Sequence, residues 1–274
     1  VRTGVTVTAL SPSAQEGFEL ETTAGQIRAR SVVVATGAYQ RPHRPVAAGD
    51  LPEGLLQLDA DDYRSEPGLP EGEVLIVGSG QTGCQIAEEL VEAGRTVYLS
   101  CGRAPWAPRR IGEHDLLWWF VETGFLDMPV ESLPDSRARL AANVLASGRD
   151  GGHDLHLRTL QPAGVVLLGH LAGADERQAY FAPDLAESVA WGDERYGQLR
   201  QLVHGLAAER GLAVPELPDP EPLDVAAPQR VGLAGVAAVV FAGGFRPDYR
   251  AWIRVPGAFD ELGYPLHADG ASLA

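Results

Sequence analysis

Residues 74–103, VLIVGSGQTGCQIAEELVEAGRTVYLSCGR, constrain the fold more than any other stretch of this chain. Val74 to Val77 form a continuous apolar run, as a strand buried on both faces requires. Gly78, Gly80 and Gly83 follow at G-x-G-x-x-G spacing. Ile86, Leu90 and Ala93 then share one helical face, with Ala87 and Val91 beside it and Glu88, Glu89 and Glu92 opposite. Gly94 stops that helix, and Thr96 to Ser100 form a second strand. Strand, glycine turn, helix and strand in this order make a dinucleotide-binding β-α-β unit. The first glycine allows the tight turn, the second lets a pyrophosphate reach the backbone, and the third lets helix and strand pack closely. A bare glycine turn is often only structural, but here four successive elements agree. The binding candidates are therefore Gly78, Ser79, Gly80, Gln81, Thr82 and Gly83, at a helix N-terminus whose free N–H groups favour an anion.

Charge and composition narrow the partners. A net charge of −15 over 274 residues argues against nucleic acid or an anionic membrane. All 22 basic residues are arginine, so no lysine is present for a Schiff base or a P-loop. The two cysteines, Cys84 and Cys101, form no C-x-x-C, so neither a disulfide scaffold nor a vicinal dithiol is expected. No basic-then-apolar leader pattern is present, and the longest near-apolar run, Val231 to Gly244, is too short to cross a bilayer. A cytoplasmic setting is expected, and nothing in the sequence specifies an oligomeric state.

Before the β-α-β unit the sequence predicts a β-meander. Val5 and Val7 alternate with threonines, Phe18 and Leu20 with glutamates, and Thr23-Ala24-Gly25 turns into Ile27 and Ala29. Ser31 to Ala35 reads as a buried parallel strand ending in Thr36-Gly37. No earlier strand is present for it to lie beside, so a sheet lacking its first strands is expected, with Val236 to Phe241 as another member. Residues 40–72 are rich in Pro, Asp and Gly and read as a connector. Leu116 to Phe120, LLWWF, reads as core packing of an inserted helix. His153 and His156 have the spacing of metal ligands, but no third ligand recurs nearby, so polar roles at a helix start are expected. Strands are expected over 164–171 and 177–181, a long amphipathic helix over 183–210 stopped by Gly211, and a Pro-rich acidic linker over 215–228.

Three motifs in order, VVVATGAYQRP at 32–42, VLIVGSGQTGCQIAEEL at 74–90 and VVFAGGFRPD at 239–248, resemble the flavin-containing monooxygenases. They also resemble the related flavoproteins often labelled as involved in potassium transport. In that family an NADPH domain interrupts an FAD domain. The resemblance implies an α/β fold: a Rossmann-like NAD(P)-binding domain inserted in a partial FAD-binding domain with a β-meander. It implies partial FAD-binding domain at 1–45, connector at 46–72, NADPH-binding domain with a helical insertion at 73–228, and return to the FAD-binding domain from 229 to 274. FAD and NADPH are the implied cofactors, with a small organic substrate and dioxygen as partners. Val5, Ala35, Thr36, Gly37, Gly243, Gly244 and Asp248 are the implied contacts on the flavin side.

The sequence departs from the family at three places. The N-terminal glycine fingerprint and the C-terminal flavin-contacting segment of the family are missing. Ala242-Gly243-Gly244 replaces the second A-T-G, and Asp59 stands where the monooxygenase fingerprint places a histidine. No catalytic residue is assigned. Arg109, Arg110 and His114 follow the second strand and read equally as site residues or as surface. No carboxylate lies at Leu99-Ser100-Cys101-Gly102-Arg103, where an NAD-specific domain binds the ribose 2′-OH. Ser100 and Arg103 therefore read as contacts for a 2′-phosphate, which selects NADPH. The reading is a flavin- and NADPH-dependent oxidoreductase, monooxygenase-like in the family's sense. A flavin reductase without oxygen insertion and a non-catalytic nucleotide-sensing module linked to ion transport are the alternatives.

Overall fold

A computed structural model describes residues 1–133, 135–213 and 215–274. The chain divides into two compact units, Val1–Arg41 with Phe245–Ala274, and Pro42–Gly244. No helix among the described residues is long and apolar enough to cross a membrane.

The smaller unit is built on the expected meander. β1 (Val7–Pro12), β2 (Phe18–Thr22) and β3 (Gly25–Ala29) pair antiparallel in sequence order. Leu10 anchors them: its N–H donates to Trp252 O at 2.8 Å, and its carbonyl accepts from Arg254 N at 2.8 Å. Leu10, Tyr249 and Ile253 form the buried core of this unit.

Residues 31–35 correct the expectation of a buried strand. They form no strand, and Val33 is 90% exposed. A parallel strand needs ladder partners on its flanks, and no described segment pairs with this one. The apolar run therefore has no strand partner among the described residues.

The larger unit is a parallel sheet. Its strands are β4 (Leu56–Asp59), β5 (Glu73–Val77), β6 (Val97–Ser100), β7 (Val166–Leu168) and, late in the chain, Val236–Phe241. Helix α1 (Gln81–Glu92) joins β5 to β6. An insertion carries helix α2 (Leu116–Glu122) and a one-turn helix over Leu157–Leu160. After β7 come β8 (Leu171–Ala174), β9 (Gln178–Phe181), helix α3 (Leu185–Arg210), β10 (Arg230–Gly232) and then β11, the Val236–Phe241 strand. The sheet order is β7-β6-β5-β11-β4, with every pairing parallel.

Two expectations are corrected by this order. β11 lies between β5 and β4 in the nucleotide-binding sheet, not in a sheet with residues 31–35. The compact unit runs on to Gly244 instead of ending at 228. The segment taken as a connector supplies β4, whose Leu56–Asp59 register on Ala238–Phe241 fixes the sheet's edge. Alternation there is short and flanked by prolines, so its strand character comes from tertiary pairing.

Three cores hold this unit. On one face, Ile86, Ala87 and Leu90 of α1 meet Val74, Ile76, Val97 and Leu99 of the sheet. Full burial of Ile86 and Leu90 contributes roughly 1.5–3 kcal/mol each. On the other face, Leu75, Val77, Val239 and Phe241 meet the small antiparallel sheet β8-β9-β10. The third core joins the insertion to α3, with Leu116, Trp119 and Phe120 against Tyr196, Leu199 and Val203. The expected packing role holds for those three, whereas Leu117 faces solvent.

Gly83 shows how tightly α1 sits on the sheet. A Cβ there would lie 1.9 Å from Gly78 O and 3.3 Å from Ala242 Cβ. Gly83→Ala is expected to destabilise the protein by about 1–3 kcal/mol through overpacking. Gly205 on α3 meets nothing within 4 Å, so Gly205→Ala is expected to stabilise by about 0.5–1 kcal/mol. Urea unfolding of both variants checks the contrast, and a neutral Gly83→Ala would contradict the packing.

Candidate functional site

The carboxyl ends of β5, β6 and β11 meet where the strand order reverses, which is where open α/β sheets bind ligands. Gly78 leaves β5 with φ 115°, a conformation that favours glycine. A Cβ on it would lie 2.5 Å from Ala242 O, so the turns after β5 and β11 touch. Gly83 then lets α1 begin directly behind the turn. Gly80 is the N-cap residue, and no side chain caps the helix start. A Cβ at Gly80 meets nothing nearer than Ala142 Cβ at 3.8 Å. The result is a helix N-terminus without a side-chain cap, with room for a Cβ at Gly80 against Ala142, and it fits the pyrophosphate of a dinucleotide.

Side chains around the turn brace it. Ser79 is buried, and its hydroxyl accepts from Gly102 N at 3.0 Å and donates to Gly102 O at 3.2 Å. It thus ties the glycine turn to the end of β6. Gln81 clamps the insertion onto α1: its Oε1 accepts from Ala146 N at 2.9 Å, and its Nε2 donates to Ala146 O. Among the six turn candidates, Thr82 is exposed and Gly83 buried, so only part of the set faces a ligand.

Ser100 is a correction. It is buried, its one hydroxyl proton goes to Gly169 O at 2.9 Å, and it accepts from Leu171 N at 3.1 Å. With its donor spent and its side chain enclosed, it holds β6 to the loop after β7 and offers nothing to a 2′-phosphate. Arg103, in contrast, is exposed and makes no ion pair among the described residues.

Gly243 and Gly244 are also placed differently from the expectation. Both lie in the larger unit, where Gly244 O accepts from His43 N at 2.9 Å and Gly243 adjoins Gly78. The Ala242-Gly243-Gly244 turn thus borders the Gly78–Gly83 turn, because β11 ends in this sheet. The smaller unit does bring together Thr36, Gly37 and Asp248. Gln40 Nε2 donates to Thr36 Oγ1 and to Gly37 O, both at 2.9 Å, and Gln40 Oε1 accepts from Asp248 N at 2.6 Å. Tyr249 Oη donates to Gly37 O at 2.8 Å. Val5 is half-buried and Ala35 exposed in the same unit. No α-helix occurs among the described residues of this unit, so its turn and the Asp248 carboxylate fit only a part of a flavin dinucleotide.

The remaining candidates have structural partners. Arg109 pairs with Asp115 at 2.8 Å, and His114 stacks on Trp118 at 3.8 Å between centroids. Asp59 receives both Nε and the terminal nitrogen of Arg44, at 2.7 and 2.9 Å, and that guanidinium lies over the Phe241 ring. His156 packs against Trp106, and burial lowers its pKa. Burial pushes the Cys101 thiol up to about 12 and raises Cys84 as well, so neither offers a thiolate. Sequence reasoning missed His170. It follows β7 at the same sheet edge, and its position after a buried apolar run was the available signal.

Two outcomes follow from this geometry. Gly80→Val places a branched side chain over the helix start, beside Ala142. Nicotinamide-nucleotide affinity, read by calorimetric titration of the full-length protein, should fall more than tenfold or so with the melting temperature retained. An unchanged affinity would remove this turn from the site. The second outcome concerns pH. His153 Nε2 lies 2.6 Å from Glu88 Oε1, and that hydrogen bond raises the imidazole above its ordinary 6.5 against a smaller opposing effect of burial. A raised folded value contributes stability that is complete below the unfolded value and lost as pH rises through the folded one. The melting-temperature gap between wild type and His153→Gln should thus be wider at about pH 5.5 than at about pH 9. A gap independent of pH would show that the pair carries no charge.

Residues 1–115 match the family model described as pyridine nucleotide-disulphide oxidoreductase. An uncharacterized CzcO-like oxidoreductase of Geobacillus kaustophilus is 40% identical over 118 residues, covering 43% of this chain and 34% of that protein. The N-oxide-forming dimethylaniline monooxygenase 4 of Mus musculus is 30% identical over 109 residues, 38% of this chain and 19% of that protein. The chain therefore spans about a third or less of these curated relatives. Among solved structures, a flavin-containing monooxygenase from Stenotrophomonas maltophilia covers 98% of this chain with 58% of its own, at 15% identity and a TM-score of 0.56. DfoA bound to FAD, a cadaverine monooxygenase from Erwinia amylovora, covers 96% of this chain with 58% of its own, at 14% identity and a TM-score of 0.51. At those identities the likeness is one of fold. In sequence over residues 1–115 and in fold over nearly its whole length, the chain is similar to the flavin-monooxygenase-like flavoproteins with two dinucleotide-binding domains, as its three motifs imply.

Proposed function

We propose that this chain carries the NADPH site of a flavin-dependent, monooxygenase-like oxidoreductase, with FAD as the second cofactor of the whole protein. The observation behind this reading is the uncapped start of α1 beside Gly80, at the point where the sheet order reverses. Bound together, the two cofactors supply hydride transfer from nicotinamide to flavin, and the reduced flavin then serves a small organic substrate with dioxygen. The protein's own contribution is placement. Gly80 admits the pyrophosphate, the free N–H groups of α1 neutralise it, and Ser79 keeps the turn fixed against Gly102. Arg103 offers an unpaired planar cation just past β6, the place at which dinucleotide-binding domains commonly read the ribose 2′ position.

Asp59 favours a second reading, a flavin reductase that inserts no oxygen. The residue in the place of the family's histidine is a carboxylate, and Arg44 occupies both of its oxygens. Product analysis decides between the two: NADPH oxidation without an oxygenated product supports the reductase.

The coenzyme preference tests the site itself. Removing the guanidinium in Arg103→Ala loses a charge-assisted contact of about 1.5–3 kcal/mol. That corresponds to roughly one to two decades in rate constant ratio. Stopped-flow flavin reduction in the full-length protein should show that loss with NADPH and almost none with NADH. Equal losses with both nucleotides would contradict the assignment.

A further inference from the structure

At the carboxyl edge of the larger unit, His170 lies beside the residues where the ribose 2′ position is expected. A Cβ on Gly102 would sit 3.4 Å from His170 Nε2, so the imidazole covers the backbone immediately before Arg103. Gly102 is the residue that Ser79 ties to the glycine turn, so turn, strand end and imidazole form one continuous rim.

His170 is held from two sides. Its N–H donates to Asp184 Oδ1 at 3.0 Å, and its carbonyl accepts from Ala182 N at 2.9 Å. Its Nδ1 lies 2.7 Å from Asp184 Oδ2. Burial pushes the Asp184 carboxyl up, but the His170 backbone N–H and ring outweigh that and hold it below its ordinary range. The carboxylate thus fixes Nδ1 as a donor and sets the orientation of the ring. Nε2 has no hydrogen-bond partner among the described residues, and the side chain is 54% exposed. A carboxylate-oriented imidazole with its other nitrogen free, next to an unpaired arginine, is suited to a phosphate dianion.

We propose that His170, oriented by Asp184, is a specificity-determining residue that joins Arg103 in recognising the 2′-phosphate of the nucleotide. The inference rests on the reading of the Gly78–Gly83 turn as the NADPH site. Its recognition element is Nε2, the ring nitrogen turned away from Asp184 and free to face a phosphate oxygen. Asp184 is a positioning residue that acts through the imidazole.

The test is calorimetric titration of the full-length protein with adenosine 2′,5′-bisphosphate and with adenosine 5′-monophosphate, which lacks the 2′-phosphate. His170→Ala should weaken the bisphosphate about tenfold and the monophosphate less than about twofold, the size of one charge-assisted contact. Asp184→Asn should give a smaller loss with the same selectivity. His170→Arg should recover most of the bisphosphate affinity, which a merely structural histidine would not allow. Equal loss of both ligands, or loss of neither, overturns the role of His170 and leaves the nucleotide site standing. A wild type that binds neither adenosine ligand nor NADPH overturns the reading of the turn and this inference with it.

Discussion

The contact of Gly83 with the Gly78 carbonyl is the constraint on which the larger unit depends. It permits the first turn of α1 to rest on the backbone where β5 ends, and it brings Ala242 at the end of β11 into the same contact. Three chain segments therefore converge with no side chain between them. The helix axis is thereby aimed past Gly80, and the buried Ile86 and Leu90 of α1 merely secure an orientation that sterics has already set. Binding chemistry follows from this packing: the helix start carries no side-chain cap, so its free N–H groups call for water or an anion.

Much of this was legible in the sequence because it is local. The glycine spacing, the helical face of Ile86 and Leu90, the Gly94 stop and the meander alternation each specify their own conformation within a few residues. Long-range partners were not legible. Residues 31–35 have the composition of a buried strand, yet conformation there depends on neighbours that composition does not supply. Leu56–Asp59 has the opposite character: a proline-flanked stretch made into a strand by β11. The same divide runs through the site. Ser100 has the right chemistry for a phosphate, but the loop after β7 claims its hydroxyl. His170 lies 68 residues beyond Gly102 (170 − 102) and becomes its neighbour only through the parallel pairing of β6 with β7.

The polar groups at the sheet's carboxyl edge divide by whether another protein group already satisfies them. Ser79, Gln81, Ser100, Asp59 and Asp184 are committed to backbone or side-chain partners and give the edge its shape. Arg103 and the outer nitrogen of His170 are uncommitted and lie on the rim. Rigid supports with a few unsatisfied donors are the usual architecture of a recognition surface, since ordering has been completed before the ligand arrives.

The sheet order also governs how the chain assembles as it is made. β4, β5 and β6 leave the ribosome early, yet the position between β4 and β5 belongs to β11, which ends at Phe241. Until that strand emerges, the inner edges of β4 and β5 present unpaired backbone to whatever is near. The sheet is completed at an interior position beside its edge strand, by its last-synthesised member, through contacts of large sequence separation that slow folding. From the emergence of β5 until that of β11, the nascent sheet carries a strand-shaped gap beside its edge strand.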